Sequence, residues 1–557
     1  MRISNSTLKI KIKKINKMKI SFKYISYFLL FILGLNMTLT SCTSDLDVKP
    51  TDDDEFLSDD FFKDPASYKQ VLAKLYAGLY VGGNDGDTDP NSPSGDIAGI
   101  GGDFSSYLRL LFVTQEFPTD EAIIAWSDDG LPAINGQKWS PSNQFLYGVF
   151  SRAFYEISVA NEFLRQTTDE KLTERGIDTA TKAEIVKFRA EVRFLRAFSY
   201  VNLMDLFGNV PITTEKDPVG FFYPEQKTRA EVFAFVESEL KDIDNTLAPS
   251  KANEYGRVDK TAAKFLLAQI YLNSKVYTGT ERYNDAATVC NDIITGSAYT
   301  FADVPYRYLF SADNNRNGAQ SEFIFPIVGD GNAIRAIGGG MSFIIHASIG
   351  GSMVGANQGM DGGWSGTRAR PEFVKLFPDA TATADQRGTF YTNGQTLDIA
   401  DYGVFTNGYA VTKFINVNSD GTAAQRNDMP DTDFPMYRLS DVYLMYAEAT
   451  LRGASSGDIT KALGYVNKIR LRAKAGVITA SDLTLDFLLD ERGRELFWEC
   501  HRRTDLIRFG KFTGGAKIWQ WKGGVKNGSG TEEFRNLMPI PSKTIQANPT
   551  LKQNPGY

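Results

Sequence analysis

The sequence predicts a mainly α protein: a scaffold of paired helices, interrupted by a long loop-rich insertion carrying short strands. Three observations predict it. Between Thr181 and Phe207, apolar or small residues recur at steps of three and four and a last step of seven (Ile185, Phe188, Val192, Leu195, Ser199, Leu206). A second set, Phe194, Ala197, Val201, Met204 and Phe207, covers the adjacent face, so this helix must be packed on two sides. Residues 256–294 hold two more amphipathic stretches joined by a short turn. From about Phe301 to Pro435 the helical period fades, and Gly, Asn, Asp and aromatic residues rise.

The elements follow in order. Lys9 to Lys23 is basic, and Tyr24 to Leu39 is an apolar run of about 16 residues, at the short end for a membrane span. Residues 1–41 therefore read as a signal peptide, with Met18 as an alternative start. Leu39-Thr40-Ser41-Cys42 resembles a bacterial lipobox, in which the Cys42 sulfur is acylated. Two or three acyl chains on one residue hold a protein on a membrane stably. Residues 42–60 are acidic and turn-rich, a flexible tether. We expect a single domain over 61–557, with the helical scaffold at 61–300 and 437–557 and the insertion at 301–436.

Ser67 to Tyr80 has the period of an amphipathic helix. The loop after it sets Asp85, Asp87 and Asp89 at alternate positions, with Asp96 twelfth, in partial imitation of a calcium loop. Pro90 stands where Gly is needed and Asp96 is shorter than the usual Glu, so a solvated loop fits better and no cofactor is expected. Leu108 to Asn135 runs from an apolar strip through Thr119-Asp120-Glu121 to Trp126, beside Asp128, Asp129 and Gly130. A Trp flanked by Asp and Gly is poorly explained by packing, although a ring tucked under its loop is the alternative. Stacking on a sugar face, with Asp128, Asp129 and Asn135 binding hydroxyls, is chemistry such a loop allows.

Gln144 to Leu164 is the next helix, an antiparallel partner for Thr181 to Phe207. Thr181 with Glu184 three residues on reads as a capping box, and Gly208 then Pro211 as the stop. Arg193 and Arg196 read as charges that pair or snorkel within the helical core. Arg229 to Leu247 is another helix. Ala262, Ala263 and Ala268 allow close helix approach, and Tyr283, Ala286, Ala287, Cys290, Ile293 and Ile294 form one face. This pair resembles a tetratricopeptide (TPR) unit, with Cys290 in the core.

In the insertion, Phe323 to Val328 suggests a strand. Trp364 is held on a bend by its Gly-rich run, close to Asp361, while Tyr308 or Phe310 offers a third aromatic platform. His346 lies in the same insertion. Helix returns at Tyr437 and continues through Ile459 to Ala473 and Thr484 to Cys500. Arg438, Asp441, Glu448, Glu491, Arg494, Glu495 and Arg502 read as mutual ion pairs at helical spacing.

The net charge is −6, yet residues 1–41 hold eight Lys/Arg and no acid, so the rest is strongly acidic and argues against nucleic acid. Two His and three Cys leave no multi-His metal site and no disulfide framework. There is no HExxH, CxxC or P-loop, which points away from an enzyme.

EVRFLRAFSYVNLMDLFGNVPI (Glu191 to Ile212) resembles the signature of the SusD/RagB family of outer-membrane nutrient-binding lipoproteins. The likeness continues in the TDE-then-Trp-Asp-Gly order, the Gly-Trp run at 362–366, ERGRELFWECHRRTDLIRFGKF and the closing PIP…NP…QNPGY. LDVKP followed by FF resembles the family's opening, and Asp45 and Asp47 resemble the surface-export signal of Bacteroidetes lipoproteins. The resemblance implies a surface-exposed, lipid-anchored protein of the cell outer membrane. It would bind an oligosaccharide or polysaccharide and deliver it to a SusC-type TonB-dependent transporter, with Trp126 and Trp364 on one binding face. Two alternatives are a surface glycoside hydrolase and a TPR interaction scaffold without a small ligand.

Overall fold

Helices packed in antiparallel pairs make up most of the structure, a computed structural model that describes residues 58–83 and 95–557. Cys42, Asp85, Asp87 and Asp89 lie outside the described residues. Ser58–Phe61 is a short helix, and Phe62–Tyr557 is one compact unit. The elements that matter here are α1 (Pro65–Gly78), α2 (Tyr107–Gln115), β1 (Ala122–Ile124), α3 (Gln144–Gln166) and α4 (Thr179–Phe207). They continue with α5 (Arg229–Ile243), α6 (Lys260–Leu272), α7 (Tyr283–Gly296), β2 (Phe323–Ile327), α8 (Gly340–Ala347) and β3 (Thr367–Ala369). The last are β4 (Phe434–Arg438), α9 (Leu439–Leu451), α10 (Ile459–Arg472), α11 (Leu485–Leu496) and α12 (Arg502–Arg508).

The two apolar faces of α4 are both buried, against α3 on one side and α5 on the other, with α1 also in contact. Its cap is Asp178, whose carboxylate accepts from the amides of Ala180 and Thr181. Thr181, expected as the cap, lies inside the first turn and donates its hydroxyl to Asp178 at 2.6 Å. The carboxylate won because it satisfies two orphan amides at once. Gly208, at φ 74°, ends the helix. Arg196 is buried and bonded to Asn161, Glu215 and Glu239, and Arg193 reaches Glu239 and Asp242, as the paired-charge reading requires.

The second helical set packs α6 on α7, α7 on α9, and α9 on both α10 and α11. Cys290 is fully buried on the shared face of α7, where desolvation pushes its thiol well up. Between α9, α11 and the insertion lies a buried charge network. Arg438 bonds Glu495 and Glu499, Arg387 bonds Asp385 and Glu491, and Arg502 bonds Asp120 from beside β1. Most partners are thus far apart in sequence, not helical neighbours; among the residues expected to pair, Arg494–Glu491 is the i,i+3 contact.

The helix expected over Thr484 to Cys500 stops at Leu496. Trp498 and Cys500 adopt φ of 62° and 65° and give their amides to the carboxylates of Glu121 and Glu116, each at 2.5 Å. Buried acceptors from a distant segment take these amides out of the helix.

The loop-rich segment is closed where its ends meet. β2 pairs antiparallel with β4, Phe323 opposite Arg438 and Ile327 opposite Phe434. Tyr437, expected as the return to helix, is still strand, and α9 begins at Leu439. Inside this excursion α8 packs on α2, and β3 pairs antiparallel with β1. Among the described residues no helix is long and apolar enough to cross a membrane.

Candidate ligand-binding face

The β1–β3 pair sets Ala122 opposite Ala369 and Ile124 opposite Thr367. The loop leaving β1 therefore meets the run entering β3, and the Ala125 amide extends the ladder to the Gly366 carbonyl at 2.9 Å. Trp126 and Trp364, 238 residues apart, come together there. Their ring centroids are 6.3 Å apart at an interplanar angle of 46°. The Trp126 indole N–H donates to the Trp364 carbonyl at 3.0 Å. The Trp364 run hangs from the end of α8, with the amides of Trp364, Ser365 and Gly366 given to His346, Ile349 and Ala347. Two glycines make this approach possible. A Cβ at Gly363 would lie 2.3 Å from the Ile349 carbonyl, and one at Gly366 would lie 2.8 Å from the Trp126 ring.

Both tryptophans are half-buried. His346 lies flat under Trp364, at 4.4 Å and 8°, and Phe343 meets Trp126 edge-on at 5.9 Å. The His346 Nδ1 lies 2.9 Å from the Ser342 carbonyl, which assigns the proton to that nitrogen. Its Nε2 faces the exposed Asp361 carboxylate at 3.5 Å. The rings are thus supported from below by a buried helix, as a platform must be if it is to stay flat when a ligand leaves.

Beside them stands Arg109 of α2, buried among Phe104, Phe343 and Trp126, with its guanidinium 4.3, 4.4 and 5.8 Å from the three rings. It donates to the carbonyls of Asp103 and Gly338, and burial lowers its pKa to about 10 against the opposing pull of Asp103 and Asp128. Its Nε and the Asp103 Oδ1 are buried without a hydrogen-bond partner, and burial raises the Asp103 pKa. Next to Trp126, a hollow of about 270 Å³ opens among Asp128, Asp129, Lys138, Ser140 and Ser142. A half-buried ring pair flanked by the carboxylates of Asp128, Asp129 and Asp361 can hold a ligand with apolar C–H faces and many hydroxyls.

Residues 347–557 match the family described as the SusD family, and residues 112–272 match one described as starch-binding, associating with the outer membrane. The chain is 33% identical to the starch-binding protein SusD of Bacteroides thetaiotaomicron, over 94% of this chain and 97% of that one. This chain belongs to the SusD family. Solved structures agree in fold. A SusD superfamily protein from Parabacteroides distasonis superposes with a TM-score of 0.67 at 23% identity, covering 88% of this chain and 99% of that chain. A surface glycan-binding protein A from Bacteroides thetaiotaomicron, in complex with laminarihexaose, gives 0.64 at 21%, with the same coverage.

On this SusD fold the expected site residues separate. Trp126, Trp364, Asp128, Asp129 and Asp361 lie on or beside the platform, with Asp129 and Asp361 exposed. Asn135 is buried instead. Its amide bonds both backbone groups of Ile124, at 3.2 and 2.8 Å, and so holds β1 in place rather than facing a ligand. Phe310 is fully buried against Phe414 and under the Lys413 ammonium, so it is core and not a third platform. Tyr308 is half-buried in the same turn, with its carbonyl held by Asn317, and no ring contact joins it to either tryptophan. Asp96 is committed to Lys74 and Arg152, at 2.8 and 2.9 Å, and these cations occupy the carboxylate that a calcium loop would need. Arg109, Asp103 and the stacking role of His346 were not expected. The signal for Arg109 was one charge inside the otherwise apolar run YLRLLFV. A second hollow, of about 450 Å³ between α1 and residues 254–257, is walled by Leu72, Leu79, Ile327 and Val328, with Lys69, Glu254 and Arg257 also in its lining.

Proposed function

We propose that this protein is a cell-surface lipoprotein that captures an oligosaccharide or polysaccharide on the Trp126/Trp364 face. It passes the glycan to a SusC-type TonB-dependent transporter of the outer membrane. The observation that carries the reading is the tilted tryptophan pair, backed by His346 and flanked by the unpartnered Arg109 Nε and Asp103 Oδ1. The similarity to a starch-binding protein and to a glycan-binding protein supports it, and both are named as binders and not as hydrolases. Anchoring is assigned to Cys42, followed by the acidic tether.

The test is calorimetry of residues 43–557 with starch and laminarin. Trp126→Ala and Trp364→Ala should each weaken binding ten- to hundredfold, about 1–3 kcal/mol, the scale of one aromatic anchor. Unchanged affinity in both would overturn the site. Release of new reducing ends by the wild type would make it a hydrolase instead. Cys42→Ala should move the protein out of the outer-membrane fraction, and retention there would sink the anchor.

A further inference from the structure

One face of α3 carries Gln144, Tyr147, Ser151, Phe154 and Ser158 at steps of three and four, so they form a single stripe. None of the five is buried. The stripe begins where the platform loop ends, because the Gln144 amide donates to the Asp129 carbonyl at 2.6 Å. Asp129 is three residues from Trp126, at most roughly 10 Å of chain. The hollow of Asp128, Lys138, Ser140 and Ser142 lies at this junction. Over the next 14 residues, about 21 Å of helix, the stripe becomes the floor of an open groove of about 580 Å³. Phe221, Phe222, Lys543 and Thr544 also line it.

Phe221 is 84% exposed, and Tyr223 meets it edge-on at 5.0 Å, so an aromatic ridge stands in solvent with little packing to hold it there. The Lys543 ammonium lies 4.7 Å over the Tyr147 ring. Among the described residues the hydroxyls of Ser151 and Thr544 have no hydrogen-bond partner. Tyr147 and Phe154, with the free hydroxyl of Ser151 between them, offer on the helical side aromatic rings beside a polar group, as the tryptophan face does.

We propose that this groove is a second stretch of one glycan track. A polysaccharide seated on Trp126 and Trp364 continues over the Asp128–Ser142 hollow and along α3 to Phe221. The inference rests on the glycan reading of the tryptophan face, and the physical continuity through the Gln144–Asp129 bond names the occupant as the longer arm of the same chain. Short oligosaccharides then use the tryptophans alone, and long ones use both.

Calorimetry compares maltotriose with soluble amylose, and laminaritriose with laminarin, per binding site. The wild type should hold the polymer at least about tenfold more tightly than the trisaccharide of the preferred series. Tyr147→Ala and Phe221→Ala should bring polymer affinity down to near the trisaccharide value, with trisaccharide binding unchanged, whereas Trp126→Ala weakens both. Phe221 stands in solvent, so its variant keeps the test open if Tyr147→Ala fails to fold. Equal affinity for trisaccharide and polymer in the wild type overturns the track and leaves the tryptophan reading standing. So does unchanged polymer affinity in Phe221→Ala, including the case where that variant loses only its association with the transporter. Failure of both series to bind the wild type overturns the glucan reading and the track together.

Discussion

The buried network around Arg438 and the tryptophan face use the same residue types to opposite ends. Arg438 is 1% exposed and meets Glu495 and Glu499 at 2.6 Å each. Arg109 is equally buried, yet it bonds only carbonyls, has an idle Nε, and forms no ion pair among the described residues. One guanidinium is completed by carboxylates, and the other is held by two carbonyls with its Nε unpartnered. Burial alone therefore does not set what a charge is paired with, and an idle Nε is shared by the ion-paired Arg196 and Arg472.

Variants that exchange these two conditions should break or sharpen the contrast. The largest effect belongs to Arg438→Met. It removes the cation that Glu495, Glu499 and Glu322 share and leaves them Arg472 and Lys413, and should cost about 3 kcal/mol in denaturant unfolding. Any folded fraction should still bind glycan with wild-type affinity. A melting temperature within a degree or two of wild type would mean that the network is dispensable.

Next comes pH. Glu156 is raised to about 8 by desolvation, with the Asp96 charge adding and Arg152 opposing, and Glu116 is raised to about 7 by its burial. Glu121 beside Glu116 is pushed well up, first by burial and then by the Glu116 charge. Folded-state values above the ordinary 4.5 mean that the folded chain binds more protons, so this stabilisation is full below about pH 4.5 and is lost as pH rises toward 8. Stability should fall by on the order of 2 kcal/mol between pH 5 and 8, and Glu156→Gln should flatten part of the slope. A profile that rises over that interval would contradict the assignment.

The smallest effect is the one aimed at the face. Arg109→Lys keeps the charge but removes the planar group and the idle Nε, so it should weaken glycan binding by about 1–2 kcal/mol with little change in unfolding. If stability drops as far as in Arg438→Met while binding per folded molecule is unchanged, Arg109 is scaffold after all.

The sequence alone was enough for the paired helices, because a helix displays its buried face at a period that can be read from one strand of text. The two-sided burial of α4 and the core position of Cys290 were legible for this reason, and the strand at Phe323 from its short unbroken apolar run. The two tryptophans could be singled out because large rings among Gly and Asp have no local packing to explain them.

Only the tertiary structure decided the rest, since it depends on partners hundreds of residues away. The amides of Trp498 and Cys500 leave their helix for Glu121 and Glu116, Asn135 turns inward to serve Ile124, and Phe310 sinks beneath Lys413. The β1–β3 ladder is what brings Trp126 to Trp364. Periodicity is a local property and survives in sequence; the satisfaction of a buried amide, carboxylate or guanidinium is a property of the assembled chain.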